Sequence, residues 1–237
     1  MDYLWDGAFA NCPKLREFKG AFATEDGNGL VVNGSLKAFA INCGATEYSI
    51  PNSVSKIGEE VFAGCTTLTA ITMTDSVTDI KDNAFSNCTA LRSIVIPDSV
   101  VKMGDQVLSG CTALESVTLS KGLKNIDEHT LQGCVNLKTI LGNFASADNC
   151  AMVVNGVMTT YALGCGAIDY SIPEGVTEIM KDVFSGCSDI VSITIPQSVV
   201  AIDKDAFTNC SNLSRFSGKY TSLDGRSIIM DGTLKVL

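Results

Sequence analysis

Ten cysteines and one histidine, in a chain of 237 residues, are the side chains with the strongest claim to chemistry. Zinc sites place paired ligands two to four residues apart, and no two cysteines here come that close. Instead Cys65, Cys88, Cys111 and Cys134 recur every 23 residues, and Cys187 and Cys210 repeat that step. Cys43–Cys65 and Cys165–Cys187 are each 22 apart. One cysteine at the same point of every unit reads as a ladder of small, buried, reduced thiols. Stacked units would lie about 5 Å apart, so oxidation between adjacent rungs stays open. Cys150 aligns with Asn28 and Arg226, off the ladder, and reads as a passive or dimer-forming thiol.

Nucleophilic catalysis needs a histidine held beside a serine or cysteine. His129 stands in Ile126-Asp127-Glu128-His129-Thr130-Leu131, where other units have Asn83 and Asp205, and so reads as a surface residue. Glu59-Glu60, and Asp203 with Asp205, fall in variable positions of one segment rather than across a cleft, as acid–base pairs must. They read as solubilising charge. Asp26-x-Asn28 and Asp224-x-Arg226 are fragments of a calcium-loop pattern without its alternating ligands or closing Glu. No Gly-rich phosphate loop or nucleophile elbow occurs. Catalytic residues, metal and cofactor are therefore all expected to be none. The sequons Asn87-Cys88-Thr89 and Asn212-Leu213-Ser214 matter only in a eukaryotic source.

The elements that position these residues are repeats. Ile80-x-x-x-Ala84-Phe85-x-x-Cys88-x-x-Leu91-x-x-Ile94-x-Ile96-Pro97 has a counterpart in Ile202-x-x-x-Ala206-Phe207-x-x-Cys210-x-x-Leu213. Leu-x-x-Ile-x-Ile reads as an apolar turn entering a short strand whose alternate side chains face the core. A fixed period in the twenties marks a solenoid, because one unit buries too little apolar surface to fold alone. A longer period lies above the short one: Cys12 to Cys134 is 122 residues, a duplicated block. Residues 20–39, 142–161 and 218–237 align as matching insertions. Their turn pairs Asn33-Gly34, Asn155-Gly156 and Asp231-Gly232 predict type I′ β-hairpins. Residues 1–237 are expected to form a single solenoid, an excerpt of a longer array, since both ends fall within a unit.

The pattern Ile-Pro-x-x-Val-x-x-Ile-x-x-x-Ala-Phe-x-x-Cys-x-x-Leu-x-x-Ile resembles the BspA-like leucine-rich repeats. So do the longer stretches Asp26 to Leu36 and Asp224 to Leu234. The resemblance implies a leucine-rich-repeat solenoid: a right-handed coil with a parallel sheet on the concave face. Short strands, 3-10 turns or helical turns would line the convex side. It implies surface or secreted proteins of gut and oral anaerobes or trichomonads, some of them adhesins, and hence an extracellular or cell-surface location. The family shares no catalytic residues.

Hydrophobic residues make up 46% of the chain and charged ones 18%, a core-forming composition. The net charge of -9 repels nucleic-acid phosphates and anionic lipid, and no apolar run reaches bilayer length. Neither nucleic acid nor membrane insertion is therefore expected. Strand alternation turns one row outward. It holds Thr72 and Thr74, Ser93 and Val95, Ser116 and Thr118, Thr139 and Leu141, Asp169 and Ser171, Ser192 and Thr194, and Arg215 and Ser217. Glu47 and Ser49 begin the row and Ala70 belongs to it. It is small, hydroxyl-rich and free of the aromatic side chains that mark interaction hot spots. Two functions stay open: an adhesin-like module binding proteins or glycans on host or microbial surfaces, and a structural spacer or stalk. An enzyme is the third and least supported. The hairpins are an alternative binding element.

Overall fold

The computed structural model describes residues 4–5, 7–9, 12, 14–230 and 233–236. The chain falls into two compact units, Met1–Leu137 with Leu141–Asn143, and Lys138–Ile140 with Phe144–Leu237. Among the described residues every regular element is a strand.

The first unit holds β1 (Gly29–Val32), β2 (Ser35–Phe39), β3 (Glu47–Ser49), β4 (Lys56–Ile57), β5 (Ala70–Thr72), β6 (Asp79–Ile80), β7 (Ser93–Val95), β8 (Lys102–Met103) and β9 (Ser116–Leu119). β10 (Thr139–Gly142) is divided between the units. The second holds β11 (Ala151–Val154), β12 (Val157–Tyr161), β13 (Asp169–Ser171), β14 (Glu178–Ile179), β15 (Ser192–Ile195), β16 (Ala201–Ile202), β17 (Arg215–Gly218), β18 (Ile228–Met230) and β19 (Thr233–Val236).

Within each unit the coils pair in parallel in two sheets, and the sheets of one unit are separate from those of the other. In one, Glu47, Ala70, Ser93 and Ser116 are register partners across β3, β5, β7 and β9. Asp169, Ser192 and Arg215 do the same across β13, β15 and β17. Every pairing joins residues 23 apart, so the repeat period is the strand register. The other sheet of each unit has shorter coil strands: Lys56, Asp79 and Lys102 align across β4, β6 and β8 in the first unit, and Glu178 with Ala201 across β14 and β16 in the second. Within each unit the stacked coils thus form a β-solenoid.

The core is a column of side chains from successive coils. Leu68, Leu91 and Leu114 are buried, as are Ile57 with Ile80 and Ile71 with Ile94. Rings form a second column. Phe62 and Phe85 stack with centroids 5.2 Å apart, and Phe184 and Phe207 repeat this at 5.1 Å.

The 3-10 or helical convex turns expected from the sequence are absent among the described residues; that side has the short strands and chained β-turns instead. Ala84, Ser86 and Cys88 donate their N–H groups three residues back, to Lys81, Asn83 and Phe85. The residues between donate to the next coil: Asn83 to Asp105, Phe85 to Val107 and Asn87 to Ser109. Asn83 and Asn87 have φ of 54° and 56°. Residues in that left-handed region cannot continue a right-handed helix, and their N–H groups turn outward to the neighbouring coil.

Hairpins interrupt the coils. β1 pairs with β2, and β11 with β12, both antiparallel and both with a register shift at the same point. Asn33 and Gly34 have φ of 51° and 73°, and Asn155 and Gly156 51° and 84°, as type I′ turns require. β18 and β19 also pair antiparallel. Their turn pair, Asp231-Gly232, lies outside the described residues, as does Leu237.

Candidate binding faces and the cysteine ladder

In β3, β7 and β13 the second residue fills the core and its neighbours on either side face outward. In β7, Ile94 is buried while Ser93 and Val95 are exposed; in β13, Tyr170 is buried while Asp169 and Ser171 are exposed. Thr72, Thr194, Arg215, Ser217, Glu47 and Ser49 are likewise exposed. Ala70, Ser116, Thr118, Thr139 and Ser192 are half-buried at the corresponding positions of their own strands, and Leu141 is exposed. Thr74 departs from the row. It follows β5 in a turn, half-buried, sharing a 2.8 Å hydrogen bond with Ser76. β5 ends at Thr72, so alternation no longer governs where Thr74 points.

Of the outward rows of the two units, the second unit's is the more polar. The Ser192 hydroxyl donates to Asp169, its register partner, and Thr194 shares a 2.8 Å bond with Ser217. Beside that row lies a cleft of about 450 Å³, lined by Ser146, Asp148, Val153, Ser171, Pro173, Glu174 and Val176. Its size falls within the range of small-molecule sites. The segment before the hairpin supplies Ser146 and Asp148, β11 supplies Val153, β13 supplies Ser171, and the turn after β13 supplies Pro173, Glu174 and Val176. Glu174 is exposed and makes no hydrogen bond or ion pair with the described residues, whereas Asp148 accepts the Ser146 hydroxyl and the Cys150 N–H. Among the described residues the buried Tyr170 hydroxyl has no hydrogen-bond partner, and burial, then the Asp148 charge, hold its proton well above the usual tyrosine range. Sequence reasoning missed Pro173, Glu174 and Val176. They follow the strand where alternation stops, and the first block has Asn52 where the second has Glu174.

The three Asp turns have a local purpose. Asp26 accepts the Thr24 hydroxyl and the Asn28 N–H; Asp148 and Asp224 do the same with Ser146 and Cys150 and with Ser222 and Arg226. In each, the Ser or Thr oxygen takes the N–H five residues on, at Gly29, Ala151 or Ser227. These carboxylates tie Asx turns before the hairpins. Among the described residues no group of three or more His, Cys, Asp or Glu could hold a metal ion.

His129 lies 3.7 Å from Asp127 and 3.9 Å from Glu128, through Nδ1, with its side chain 41% exposed. Its neighbours are carboxylates on its own segment. Glu59 is exposed, Glu60 half-buried, and Asp203 accepts the Asp205 N–H at 2.9 Å.

All ten cysteines are free thiols. Cys65, Cys88, Cys111, Cys134 and Cys187 are buried, one per coil. The Cys88, Cys111, Cys134 and Cys210 thiols donate to the carbonyls of Phe62, Phe85, Leu108 and Phe184, each 26 residues back, at 3.1–3.3 Å. Hydrogen bonding to the Cys111 thiol, then burial, push the Cys88 thiol well above its ordinary value. Burial pushes Cys210 up to about 11 and Cys134 higher. Such thiols are protonated and unreactive near neutral pH. Cys150 is off this ladder, half-buried, beside Cys165 and Tyr161; that cluster also escaped sequence reasoning. The signal was present in the 122-residue alignment, which sets Cys150 against Asn28 and Tyr161 against Phe39.

No helix among the described residues is long and apolar enough to cross a membrane. Among curated proteins, none matches the chain. Solved structures do. A leucine-rich repeat protein from Eubacterium ventriosum is 25% identical with a TM-score of 0.53, over 90% of this chain and 51% of its own. One from Bacteroides ovatus is 25% identical with a TM-score of 0.50, over 81% and 63%. The pneumococcal vaccine antigen PcpA is 19% identical with a TM-score of 0.56, over 84% and 54%, a likeness of fold alone. The chain thus spans between about half and under two thirds of the length of these proteins. The family model for the BspA type leucine rich repeat region matches residues 35–149 and 161–224 in six copies. Covering more than half of the chain, that match agrees with the 23-residue register, the thiol ladder and the chained turns: the chain belongs to the BspA-type leucine-rich-repeat family.

Proposed function

We propose that this chain is a non-catalytic, adhesin-like interaction module of a cell-surface or secreted protein, its partners being proteins or glycans on host or microbial surfaces. The observation that carries the reading is an outward row of hydroxyls in each unit, on β7 and β9 in the first and on β13, β15 and β17 in the second, each spaced by its own strand register. Strand-mounted groups lose little entropy on contact, and weak contacts repeated along an array add by avidity. The candidate contacts are Thr72, Ser93, Val95, Ser116, Thr118, Thr139, Asp169, Ser171, Ser192, Thr194 and Arg215. Thr74 is a weaker candidate, because Ser76 engages its hydroxyl. In the second unit the cleft at Asp148 and Glu174 adds depth to an otherwise shallow face.

The spacer reading is favoured by one observation, the lack of aromatic side chains on the described part of that row. Biolayer interferometry of the folded chain against matrix proteins, mucin glycans and bacterial surfaces separates the two. Saturable binding that falls at least tenfold in Ser93→Arg or Thr194→Arg, with unchanged circular dichroism, supports the module. Failure to bind every surface leaves the spacer.

A further inference from the structure

The second hairpin carries a thiol where the first carries an amide: Cys150 occupies the position of Asn28. Its carbonyl accepts the Ala162 N–H at 2.7 Å, closing the open end of the β11–β12 hairpin. Ala162 in turn accepts the Cys165 N–H at 2.9 Å, three residues on. The ends of such a turn lie within about 7 Å of each other. Cys150 and Cys165 therefore flank the same residue, and both side chains pack against the second unit's core. The Cys165 sulfur sits 2.9 Å from the Tyr161 hydroxyl.

Accessibility sets this pair apart from the buried thiols, and Cys12, Cys43 and Cys210 share that accessibility. The ladder thiols Cys88, Cys111 and Cys134 are buried, with their hydrogens committed to carbonyls of the preceding coil. Cys150 and Cys165 are both half-buried, within reach of a small reagent. The first block cannot form the same pair, because Cys43 there faces an Asn28 register.

We propose that Cys150 and Cys165 are a modification site: a thiol pair that closes into an intrachain disulfide when it meets a small-molecule disulfide such as oxidised glutathione. One protein thiolate attacks a sulfur of the reagent, breaking its S–S bond and releasing one small thiolate. The second protein thiol loses its proton and displaces the remaining small thiolate, forming the protein S–S bond. Two protein thiols are oxidised, one small disulfide is reduced, and the two protons end on the two released thiols. Burial, then the hydrogen bond with the Cys165 thiol, push the Cys150 thiol up to about 12, so thiolate is scarce and closure speeds up as pH rises. The bond would staple the hairpin's open end to the turn that begins the next coil, independently of any ligand.

The test uses the folded full chain with oxidised glutathione at pH 8, acid quenching, alkylation and peptide mass spectrometry. The expected product links Cys150 to Cys165, while Cys65, Cys88, Cys111, Cys134 and Cys187 stay reduced. Oxidation should raise Tm by roughly 5–10 °C, the scale for a disulfide closing a loop of this length. Cys150→Asn restores the residue of the first hairpin, so it should fold and show no such rise. Stable glutathione adducts on either cysteine without a link, ladder cross-links that form first, or an equal Tm rise in Cys150→Asn would each overturn the proposal.

Discussion

The Cys111 thiol donates to the Phe85 carbonyl, 26 residues earlier, at 3.2 Å. Both residues are completely buried, so the bond is made where water cannot replace it. It joins one coil to the coil before it, as do its counterparts from Cys88 and Cys134.

Cys111→Ala removes the sulfur and orphans that carbonyl. We expect a loss of about 2 kcal/mol, combining cavity and desolvation costs. Cys111→Ser keeps a donor and should lose about half as much. Urea denaturation distinguishes them; a serine variant no more stable than the alanine variant would discount the hydrogen bond.

The ring column should be the costliest part of the core to disturb. Phe62 and Phe184 are each fully buried between neighbouring rings. Phe62→Ala is expected to cost about 3–5 kcal/mol. Tyr161→Phe should be nearly neutral, because Phe39 fills that place in the first block with rings at the same 4.7 Å spacing. A measured loss above about 2 kcal/mol in Tyr161→Phe would mean that the bond to Cys165 contributes more than packing does.

Gly142 has a φ of 91°, and a β-carbon there would overlap the backbone of Leu119. Gly142→Ala therefore meets both a disallowed conformation and rigid main chain, and should cost more than about 2 kcal/mol. Gly44, at φ 85° with nothing near its missing side chain, isolates the conformational part alone. Its alanine variant should lose only about 1 kcal/mol. Equal losses in the two variants would remove steric overlap from the explanation.

Alkaline pH should unfold the protein. Burial, then the Asp26 charge, hold the Tyr48 proton until about 12, against about 10 in an unfolded chain. The folded state binds that proton more tightly, so its stabilising contribution is complete below pH 10 and is lost between 10 and 12. Burial pushes Tyr161 and Tyr170 higher still. Denaturation midpoints should fall steadily from pH 9.5 to 11.5, with tyrosinate absorbance rising at the unfolding transition. Tyr48→Phe should flatten that slope; an unchanged slope would assign the alkaline loss elsewhere.

The repeat and its register were legible because cysteine spacing and strand alternation are both periodic. Ser93, Ser116 and Ser192 fell on the outward row for that reason. The hairpins were legible from the Asn33-Gly34 and Asn155-Gly156 pairs, whose chemistry is local. The chained turns were not, because an asparagine such as Asn83 or Asn87 fits a surface helix or a left-handed turn alike; only the neighbouring coil's carbonyls decide. Thr74 was misplaced because alternation carries no information about where a strand stops. The cleft and the Cys150–Cys165 contact depend on segments brought together after the coils form, which periodicity cannot register.

The two ring columns repeat one geometry: Phe39, Tyr48, Phe62 and Phe85 in the first block, Tyr161, Tyr170, Phe184 and Phe207 in the second. Corresponding centroid distances agree within 0.1 Å. The consequence is genetic. A crossover between the two copies, for example joining residues up to Phe85 to those after Phe207, deletes one whole block yet hands each ring neighbours it already fits. The reciprocal event adds a block on the same terms. Reach can therefore evolve in steps of a complete block, by recombination rather than by point mutation, without an intermediate that has an unfilled core.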